Sequence, residues 1–180
     1  RARAGSARLQ SILTAMSAAS RTEEAIEHAE RHLFDLRALL ASMVASYQTA
    51  FPERRFSAVL PAGRCEINGA PDLIAQLLDK LVDNAVDFSP RDGLIEIALD
   101  CEDRVARISV MNDGPPLPPH ASERLFESLF EFRRGSDSKP HFGLGLYIVR
   151  LIAEFHSGRA TAENRADASG AIFRVLLPRA

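Results

Sequence analysis

The sequence lacks the features of three large classes of protein. It has no block of Lys and Arg, and its formal net charge of -2 argues against nucleic acid as the main partner. No apolar run approaches the roughly 18 residues that span a bilayer, and no signal peptide is present, so we expect no membrane contact from these residues. The chain begins at Arg1 without Met, and we expect it to be part of a longer protein.

Cysteine is also scarce. Cys65 and Cys101 are too few and too far apart in the sequence for a zinc site or a disulfide framework. We therefore expect two reduced thiols, as in a cytosolic protein. The 180 residues are 46% hydrophobic, which suffices for one core of about 120 to 150 residues with an appendage.

A glycine-broken loop that continues as an amphipathic helix is the most informative stretch. In HFGLGLYIVRLIAEFHSG, residues 141–158, apolar residues recur at helical spacing from Leu146 onward. Gly143 and Gly145 remove side chains just before this helix, and the free amides and dipole of such an N-terminus favour phosphate. The alternative is a glycine turn before an ordinary core helix, since short glycine motifs recur by chance.

Residues 71–90, PDLIAQLLDKLVDNAVDFSP, predict a helix with Pro71 in its first turn. Its buried arc consists of Leu73, Ile74, Leu77, Leu78, Leu81, Val82 and Ala85. At about 100° per residue Asn84 falls inside this arc, and Lys80, Asn84 and Asp87 form a polar line along one edge. Asn84 is either a hydrogen-bonded structural amide or an oxygen ligand for a hard cation such as Mg²⁺.

Residues 94–113 predict a β-hairpin. In its second strand Asn112 shares a face with three apolar residues: Ala106, Ile108 and Val110. The Asn112 amide therefore points toward the core, Asp113 points away, and the stiff loop GPPLPP follows from Gly114. An inward amide beside a rigid loop suits a flat polar ligand such as a purine, and the alternative is a plain strand exit.

Two further helices are predicted near the start of the chain. Residues 6–29 carry an apolar stripe formed by Leu9, Ile12, Leu13 and Met16. This stripe packs either against another chain or on the domain's own surface. Asp35 is expected to cap a second helix that ends near Phe51 and Pro52.

The remaining segments predict strands and a flap. RFSAVLP and GRCEI predict short strands, and GRATAENR and GAIFRVLLP predict two closing strands. Residues 123–140 mix aromatic residues with basic ones such as Arg133. This segment is either a flap that closes over an anion or a solvated loop.

In this order, the motifs resemble the ATP-binding domain of sensor histidine kinases, over roughly residues 34–178. The resemblance implies the Bergerat-type fold, an α+β two-layer sandwich in which helices cover one face of a mixed sheet. It also implies that residues 1–33 are the C-terminal part of the dimerisation helical hairpin and residues 34–180 the catalytic domain. NDGPPLP with LGLYIVRLIAEFHSG further resembles histidine kinases that accompany sortase systems in proteobacteria.

The resemblance assigns roles to individual positions. Asn84 matches the family's Mg²⁺ ligand, and Gly143 and Gly145 match the glycines whose backbone contacts the phosphates. Asn112 stands where the family has an aspartate that accepts a hydrogen bond from the adenine amine, and a carboxamide oxygen also accepts. The ATP-binding candidates are Lys80, Asn84, Asp87, Asn112, Gly114, Arg133, Gly143, Leu144, Gly145 and Leu146.

Four positions depart from the family's pattern. Lys80 replaces a second asparagine, Asp87 a lysine, Pro116 a glycine, and His141 the opening glycine of the lid motif. A carboxylate near the phosphates weakens nucleotide binding, because like charges repel. Lys80 offsets this effect if it contacts phosphate itself.

The implied function is that of a histidine protein kinase fragment that uses ATP and Mg²⁺. The phosphoacceptor histidine is expected upstream of Arg1, because none of the chain's histidines has the typical context: His28, His32, His120, His141 and His156. The resemblance further implies a homodimer through the N-terminal helix, a response regulator receiver domain as partner, and the cytoplasmic portion of an inner-membrane sensor. The alternatives are a pseudokinase that acts by dimerisation or docking, and an anti-sigma Ser-protein kinase, which the N-terminal helix argues against.

Overall fold

The computed structural model describes residues 2–118, 124–127 and 144–180, with side chains from Leu13 onward except Ala15. It contains four helices among these residues: α1 (Ala2–Glu27), α2 (Leu36–Ala50), α3 (Pro71–Phe88) and α4 (Leu144–Phe155). The strands are β1 (His32–Asp35), β2 (Arg55–Val59), β3 (Glu66–Gly69), β4 (Leu94–Cys101), β5 (Val105–Asp113), β6 (Arg159–Asn164) and β7 (Gly170–Pro178). None of these helices combines the length and the apolar character needed to cross a bilayer.

The main sheet is mixed, as predicted. Its strand order is β2-β4-β5-β7-β6, with β2 parallel to β4 and every other pair antiparallel. Every second residue of β5 that was predicted to face the core is buried, together with alternate residues of β4. Helices α2, α3 and α4 contact this sheet and supply the other half of the core, which confirms the predicted α+β sandwich.

A second, two-stranded sheet was not predicted. Strand β1 pairs antiparallel with β3, with His32 opposite Gly69 and Asp35 opposite Glu66. The segment before Asp35 has no alternation strong enough to indicate a strand, because only Phe34 and Asp35 of β1 are partly buried. Strand β1 crosses the boundary proposed after residue 33, and the division into two domains stays a prediction.

Helix α3 matches its predicted arc, with one difference. All seven apolar residues predicted for the arc are buried. Asn84, expected inside the arc, is only half-buried. The reason is that α4 begins beside Lys80, so the described part of the chain leaves the last turns of α3 partly uncovered.

The N-terminus of α2 is capped by Asp35, as predicted. The carboxylate of Asp35 accepts a hydrogen bond from the Arg37 amide at 3.1 Å. It also accepts one from the Cys65 amide at 3.1 Å, and the Leu36 amide donates to the Cys65 carbonyl at 2.8 Å. Asp35 therefore caps the start of α2 and also joins this helix to the segment before β3.

The prediction of two reduced thiols is wrong for this structure. Cys65 and Cys101 form a disulfide, with their Cα atoms 6.1 Å apart. Their sequence separation of 36 was a misleading guide. After β3 the chain passes along α3 and comes back along β4, so two distant positions in the sequence become neighbours. The disulfide links the small sheet to the main one.

Helix α1 packs on the domain along part of its length. Its C-terminal half packs on the domain: Thr22 is buried, and its hydroxyl accepts a hydrogen bond from the Gln76 amide at 2.9 Å. Tyr147 donates to the Glu23 carboxylate at 3.2 Å. Leu13 and Met16, from the predicted stripe, are 65% and 52% exposed. The described residues of the stripe therefore lie N-terminal to the part of α1 that docks on the domain.

Candidate functional site

Three of the motif-bearing segments meet at one end of the α3–α4 pair. The Cδ atom of Lys80 lies 3.9 Å from where a Cβ atom on Gly145 would stand, so the middle of α3 adjoins the first turn of α4. The carbonyl of Phe88, at the end of α3, lies 2.6 Å from the corresponding position on Gly114. The end of β5 and the start of α4 therefore both lie beside the C-terminal half of α3.

The first turn of α4 offers backbone amides rather than side chains. The amides at Leu144, Gly145 and Leu146 are among those that have no acceptor within a helix. The side chains of Leu144 and Leu146 are buried and anchor this turn in the core. A Cβ atom on Gly145 would meet no described atom nearer than Lys80, so internal packing does not require a glycine there. A ligand that approaches the backbone closely would require it.

Asn112 has the one feature of the site that internal structure leaves unexplained. Its side chain is 2% exposed, and its Nδ2 donates to the Asp113 carbonyl at 3.0 Å. Its Oδ1 is buried and has no hydrogen-bond partner in the described part of the chain. Burying such an acceptor unpaired costs about 1–3 kcal/mol. A ligand amine at this position would remove that cost, so the residue fits the amine edge of an adenine.

Asp113 points away from this site, as predicted. Its Oδ2 accepts from the Leu94 amide at 2.8 Å, and its Oδ1 pairs with Arg165 at 2.5 Å. Both contacts lie on the side of the sheet opposite the core. Asp113 therefore ties together the ends of β4, β5 and β6 and takes no part in the cleft.

Gly114 is required by conformation and by space. Its φ of +151° lies where L side chains are strained, and a Cβ atom there would approach the Phe88 carbonyl to 2.6 Å. Its amide donates to the Ser169 carbonyl at 2.9 Å. Gly114 thus lets the chain leave β5 directly against the end of α3, which keeps Asn112 facing the helices.

Sequence reasoning missed the residue that holds the following proline-rich loop. The Leu117 amide donates to Oδ1 of Asn164 at 2.6 Å, and Nδ2 of Asn164 donates to the Leu117 carbonyl at 3.1 Å. Asn164 ends β6, 47 residues further along the chain, and no local pattern connects the two. The loop is therefore fixed to the edge strand of the sheet.

The polar line of α3 has unequal members. The Lys80 ammonium lies 3.7 Å from the Asp83 carboxylate, with side chains 31% and 61% exposed, so the pair is weak. Burial raises the pKa of the Asp83 carboxyl, and Lys80 opposes this. Asp87 is exposed, and no described residue is hydrogen-bonded to the half-buried carboxamide of Asn84. The Asn84 carboxamide and the Lys80 ammonium are both available to a ligand.

The described residues alone offer few ligands to a metal ion at this site. No group of three or more His, Cys, Asp or Glu residues in the described segments is arranged to hold one. The Asn84 oxygen suits Mg²⁺, which keeps several waters and takes few protein ligands when it binds with phosphates. The donor set of the described residues therefore fits a magnesium ion that is held largely by waters and phosphates.

Part of the predicted site lies outside the described residues. This applies to Arg133, Gly143 and His141, and to most of the predicted flap. Of the flap, residues 124–127 are described as a turn, in which Leu125 and Phe126 are buried in the core. These two side chains anchor the start of the segment.

The family model for histidine kinase-, DNA gyrase B- and HSP90-like ATPases matches residues 69–180, more than half of the chain. The chain belongs to this family. This ATPase domain contains all of α3, β5 and α4, and so the three segments that meet at the cleft. The resemblance to the ATP-binding domain of sensor histidine kinases is confirmed.

Relatives of this ATPase domain are sensor kinases. The adaptive-response sensory kinase SasA of Rippkaea orientalis is 28% identical over 170 residues, 93% of this chain and 43% of SasA. The histidine protein kinase DivJ of Caulobacter vibrioides is 32% identical over 152 residues, 83% of this chain and 25% of DivJ. The chain thus spans less than half the length of these relatives.

Solved structures share the fold. The catalytic domain of the histidine kinase ThkA has a TM-score of 0.72 at 28% identity, covering 83% of this chain and 96% of that one. ThkA in complex with the response regulator TrrA has a TM-score of 0.73 at 23% identity, covering 97% of this chain and 49% of that one. The second match extends over nearly the whole chain, α1 included.

Proposed function

We propose that this chain is the ATP-binding catalytic part of a two-component sensor histidine kinase. In the intact protein it transfers the γ-phosphoryl group of ATP to a histidine upstream of Arg1, for relay to a response regulator receiver domain. The observation that carries the proposal is the unpaired, buried Oδ1 of Asn112 at the cleft where α4 presents its free amides. The relatives named as kinases and the ThkA–TrrA complex support it.

Each segment of the cleft has its own task in this proposal. Asn112 accepts a hydrogen bond from the exocyclic amine of the purine, and Gly114 keeps the surrounding backbone close to it. The amides of Leu144, Gly145 and Leu146 bind the phosphates, and the Lys80 ammonium adds positive charge beside them. The Asn84 oxygen holds Mg²⁺, which neutralises phosphate charge when bound. Catalysis then rests on positioning and electrostatic stabilisation.

Arg133, Gly143 and Asp87 remain predicted ATP contacts. Arg133 belongs to the proposed flap and would close over the phosphates, and the backbone of Gly143 would extend the α4 phosphate site by one residue. Asp87 is exposed near the end of α3, where its carboxylate would reduce the affinity for a triphosphate.

The exposed stripe of α1 supports a homodimer in the intact protein. Leu13 and Met16 are the most exposed large apolar side chains of the described part of α1, and they lie N-terminal to the residues that dock on the domain. Two such stripes bury each other in a helical bundle. We further propose that the fragment belongs to the cytoplasmic portion of an inner-membrane sensor, as the resemblance implies.

The competing function is a pseudokinase that acts by dimerisation or docking. Its supporting observations are that Lys80 and Asp87 depart from the residues typical of the family, and that Asp83 adds a second carboxylate beside them. A pseudokinase that no longer binds a ligand would keep its fold, and the unpaired oxygen of Asn112 would then have no function.

Calorimetry with Mg-ATP separates the two functions. We expect a dissociation constant tighter than about 1 mM for the unaltered chain, worth at least about 4 kcal/mol. Asn84→Asp and Gly145→Val should weaken binding by about tenfold or more, by changing the metal ligand and by filling the space beside the phosphates. Asn68→Ala, an exposed amide on β3, is the matched control and should bind normally.

Two results would contradict the proposal. One is the absence of Mg-ATP binding by the unaltered chain at millimolar nucleotide, which favours the pseudokinase. The other is unchanged binding in both Asn84→Asp and Gly145→Val, which would place the nucleotide elsewhere on the molecule.

A further inference from the structure

His156 occupies the end of the α3–α4 pair opposite the cleft. It follows α4 directly and is 3% exposed, and its Nε2 lies 3.0 Å from the backbone amide of Ala70, the residue before α3. Ten residues separate Ala70 from Lys80, which is about 15 Å of helix. The same pair of helices is thus joined by His156 at one end, and at the other end Lys80 lies beside Gly145.

The two hydrogen bonds of the imidazole define its protonation state. Its Nδ1 lies 2.7 Å from the carbonyl of Ile152, which only accepts, so Nδ1 carries the proton. Its Nε2 must then be the acceptor for the Ala70 amide. Both bonds exist together only in the neutral ring, because an imidazolium has no acceptor.

The surroundings of the ring favour the same neutral form. Burial lowers the pKa of His156, the hydrogen bond to Ile152 raises it, and the charge of Arg31 lowers it. Arg31, before β1, is the charged group that acts on the ring among the described residues, while α3 presents the Ala70 amide and β3 presents Gly69. The positive end of the α3 dipole also disfavours a cation at this point.

Gly69 leaves the space that the ring fills. A Cβ atom on Gly69 would lie 2.6 Å from Cδ2 and 2.8 Å from Nε2 of His156. Gly69 is not among the residues with positive φ, so a glycine is needed there for space and not for conformation. The ring is therefore held on both sides, by β3 and by the first turn of α3.

We propose that His156 is a positioning residue for the nucleotide site: its neutral imidazole sets the longitudinal register of α4 against α3, and so the spacing between the Gly145 amide and the Asn84 carboxamide. This inference rests on the proposed function for its consequence, since both groups belong to the proposed nucleotide site. A shift of one residue between the helices would change their relative position by about 1.5 Å. Displacements of that size at a phosphate site have large effects on binding and rate.

Nuclear magnetic resonance of the nucleotide-free chain tests the coupling without altering His156. We use the His141→Gln variant, because His141 lies close to Gly145 in the sequence. The ¹⁵N shifts of His156 should show a neutral ring with the proton on Nδ1 at pH 7. On acidification, the Gly145 amide shift should change with the same midpoint as the His156 ring. A ring protonated on Nε2, or a Gly145 amide that does not respond, overturns the inference.

Variants then test the effect on nucleotide binding. His156→Leu removes the acceptor. Gly69→Ala keeps the imidazole ring but displaces it from its position. Both should weaken Mg-ATP binding by about tenfold, after correction for the folded fraction measured by denaturant titration. His156→Gln retains an acceptor near Nε2 and should bind within about threefold of the unaltered chain. Equal binding by folded His156→Leu, or equal losses in His156→Gln and His156→Leu, overturns the inference.

The outcomes also separate the two proposals. If the unaltered chain fails to bind Mg-ATP, the proposed function is wrong, and the nucleotide-free titration still decides whether His156 sets the register. If the unaltered chain binds and the variants bind equally well, the proposed function stands and the role of His156 is wrong.

Discussion

The two ends of the α3–α4 pair differ in how their polar groups are satisfied. At the closed end, around Ala70 and His156, the ring nitrogens and the facing backbone amide all have partners. At the open end, around Gly145 and Asn112, the first amides of α4 have no acceptor within the helix, and the buried Asn112 oxygen has no partner among the described residues. Leaving a buried polar group unpaired is costly, so the Asn112 oxygen near a helix N-terminus indicates a ligand, and the closed end supplies the rigidity that holds this site in place.

The largest effect we predict is on stability, through the disulfide. Reducing Cys65–Cys101, which closes a loop of 36 residues, should lower the free energy of unfolding by about 4 kcal/mol. Urea titrations with and without a dithiol reductant measure this. A Cys65→Ala, Cys101→Ala double variant is the control and should not respond to reductant. Mg-ATP affinity of the folded, reduced chain should change by less than about threefold, and a larger loss would show that the disulfide itself holds the nucleotide site in place.

The next effect is at the open end, where a change of Asn112 should affect Mg-ATP binding but not lower stability. Asn112→Leu removes the unpaired oxygen, so the free energy of unfolding should stay equal or rise by about 1 kcal/mol, while Mg-ATP binding weakens by about tenfold or more. Asn112→Asp keeps an acceptor and should retain binding. Thermal melts and calorimetry on the same samples measure both quantities. Parallel losses of stability and affinity in Asn112→Leu would mean that the carboxamide is structural.

A smaller effect concerns pH and the closed end. The pKa of His156 is lowered by burial in the folded state from its usual 6.5, so the unfolded chain binds the proton first as pH falls. The contribution of His156 is therefore complete above pH 6.5 and is lost as pH falls through the folded pKa, by about the 1 kcal/mol of one hydrogen bond. Denaturant titrations between pH 7.5 and pH 5 should show a shallower decline in His156→Gln. Equal slopes would contradict this assignment.

The smallest effect should come from Lys80. Its ammonium is partly exposed and its pair with Asp83 is weak, so Lys80→Ala should cost little stability. Mg-ATP affinity should fall by about threefold to fivefold, and the loss should shrink at high salt because the contribution is electrostatic. Arg64→Ala, whose side chain is 81% exposed, is the control. A loss no larger than in Arg64→Ala would remove Lys80 from the site.

The elements of the open end were predictable because their signals are local. The period of apolar residues identified the buried face of α3, and alternation along β5 identified Asn112 as inward and Asp113 as outward. Asn84 was placed slightly too deep, because periodicity gives the direction of a side chain and not what covers it. How far Asn84 is covered depends on where α4 begins, and the sequence of α3 does not contain that information.

The contacts of the closed end and of the loop were not predictable in this way. The pairing of His156 with Ala70 joins residues 86 apart, and Asn164 holds Leu117 across 47. In each contact one partner is a backbone group, of Ala70 or Leu117. Every residue has such groups, so no residue type in the sequence marks the partner. Cys65 and Cys101 are recognisable in the sequence, and their pairing was still missed. The pairing depends on the path of the chain through α3 and β4.

The sequence by itself determined the types of the main elements, the faces that they bury and the order of the motifs, because periodicity and turn chemistry act over a few residues. Only the tertiary structure decided which polar groups find partners, since a hydrogen bond needs two groups within about 3 Å and packing brings them together. That is why the unpaired oxygen of Asn112 and the fully paired ring of His156 became distinguishable only in the folded chain.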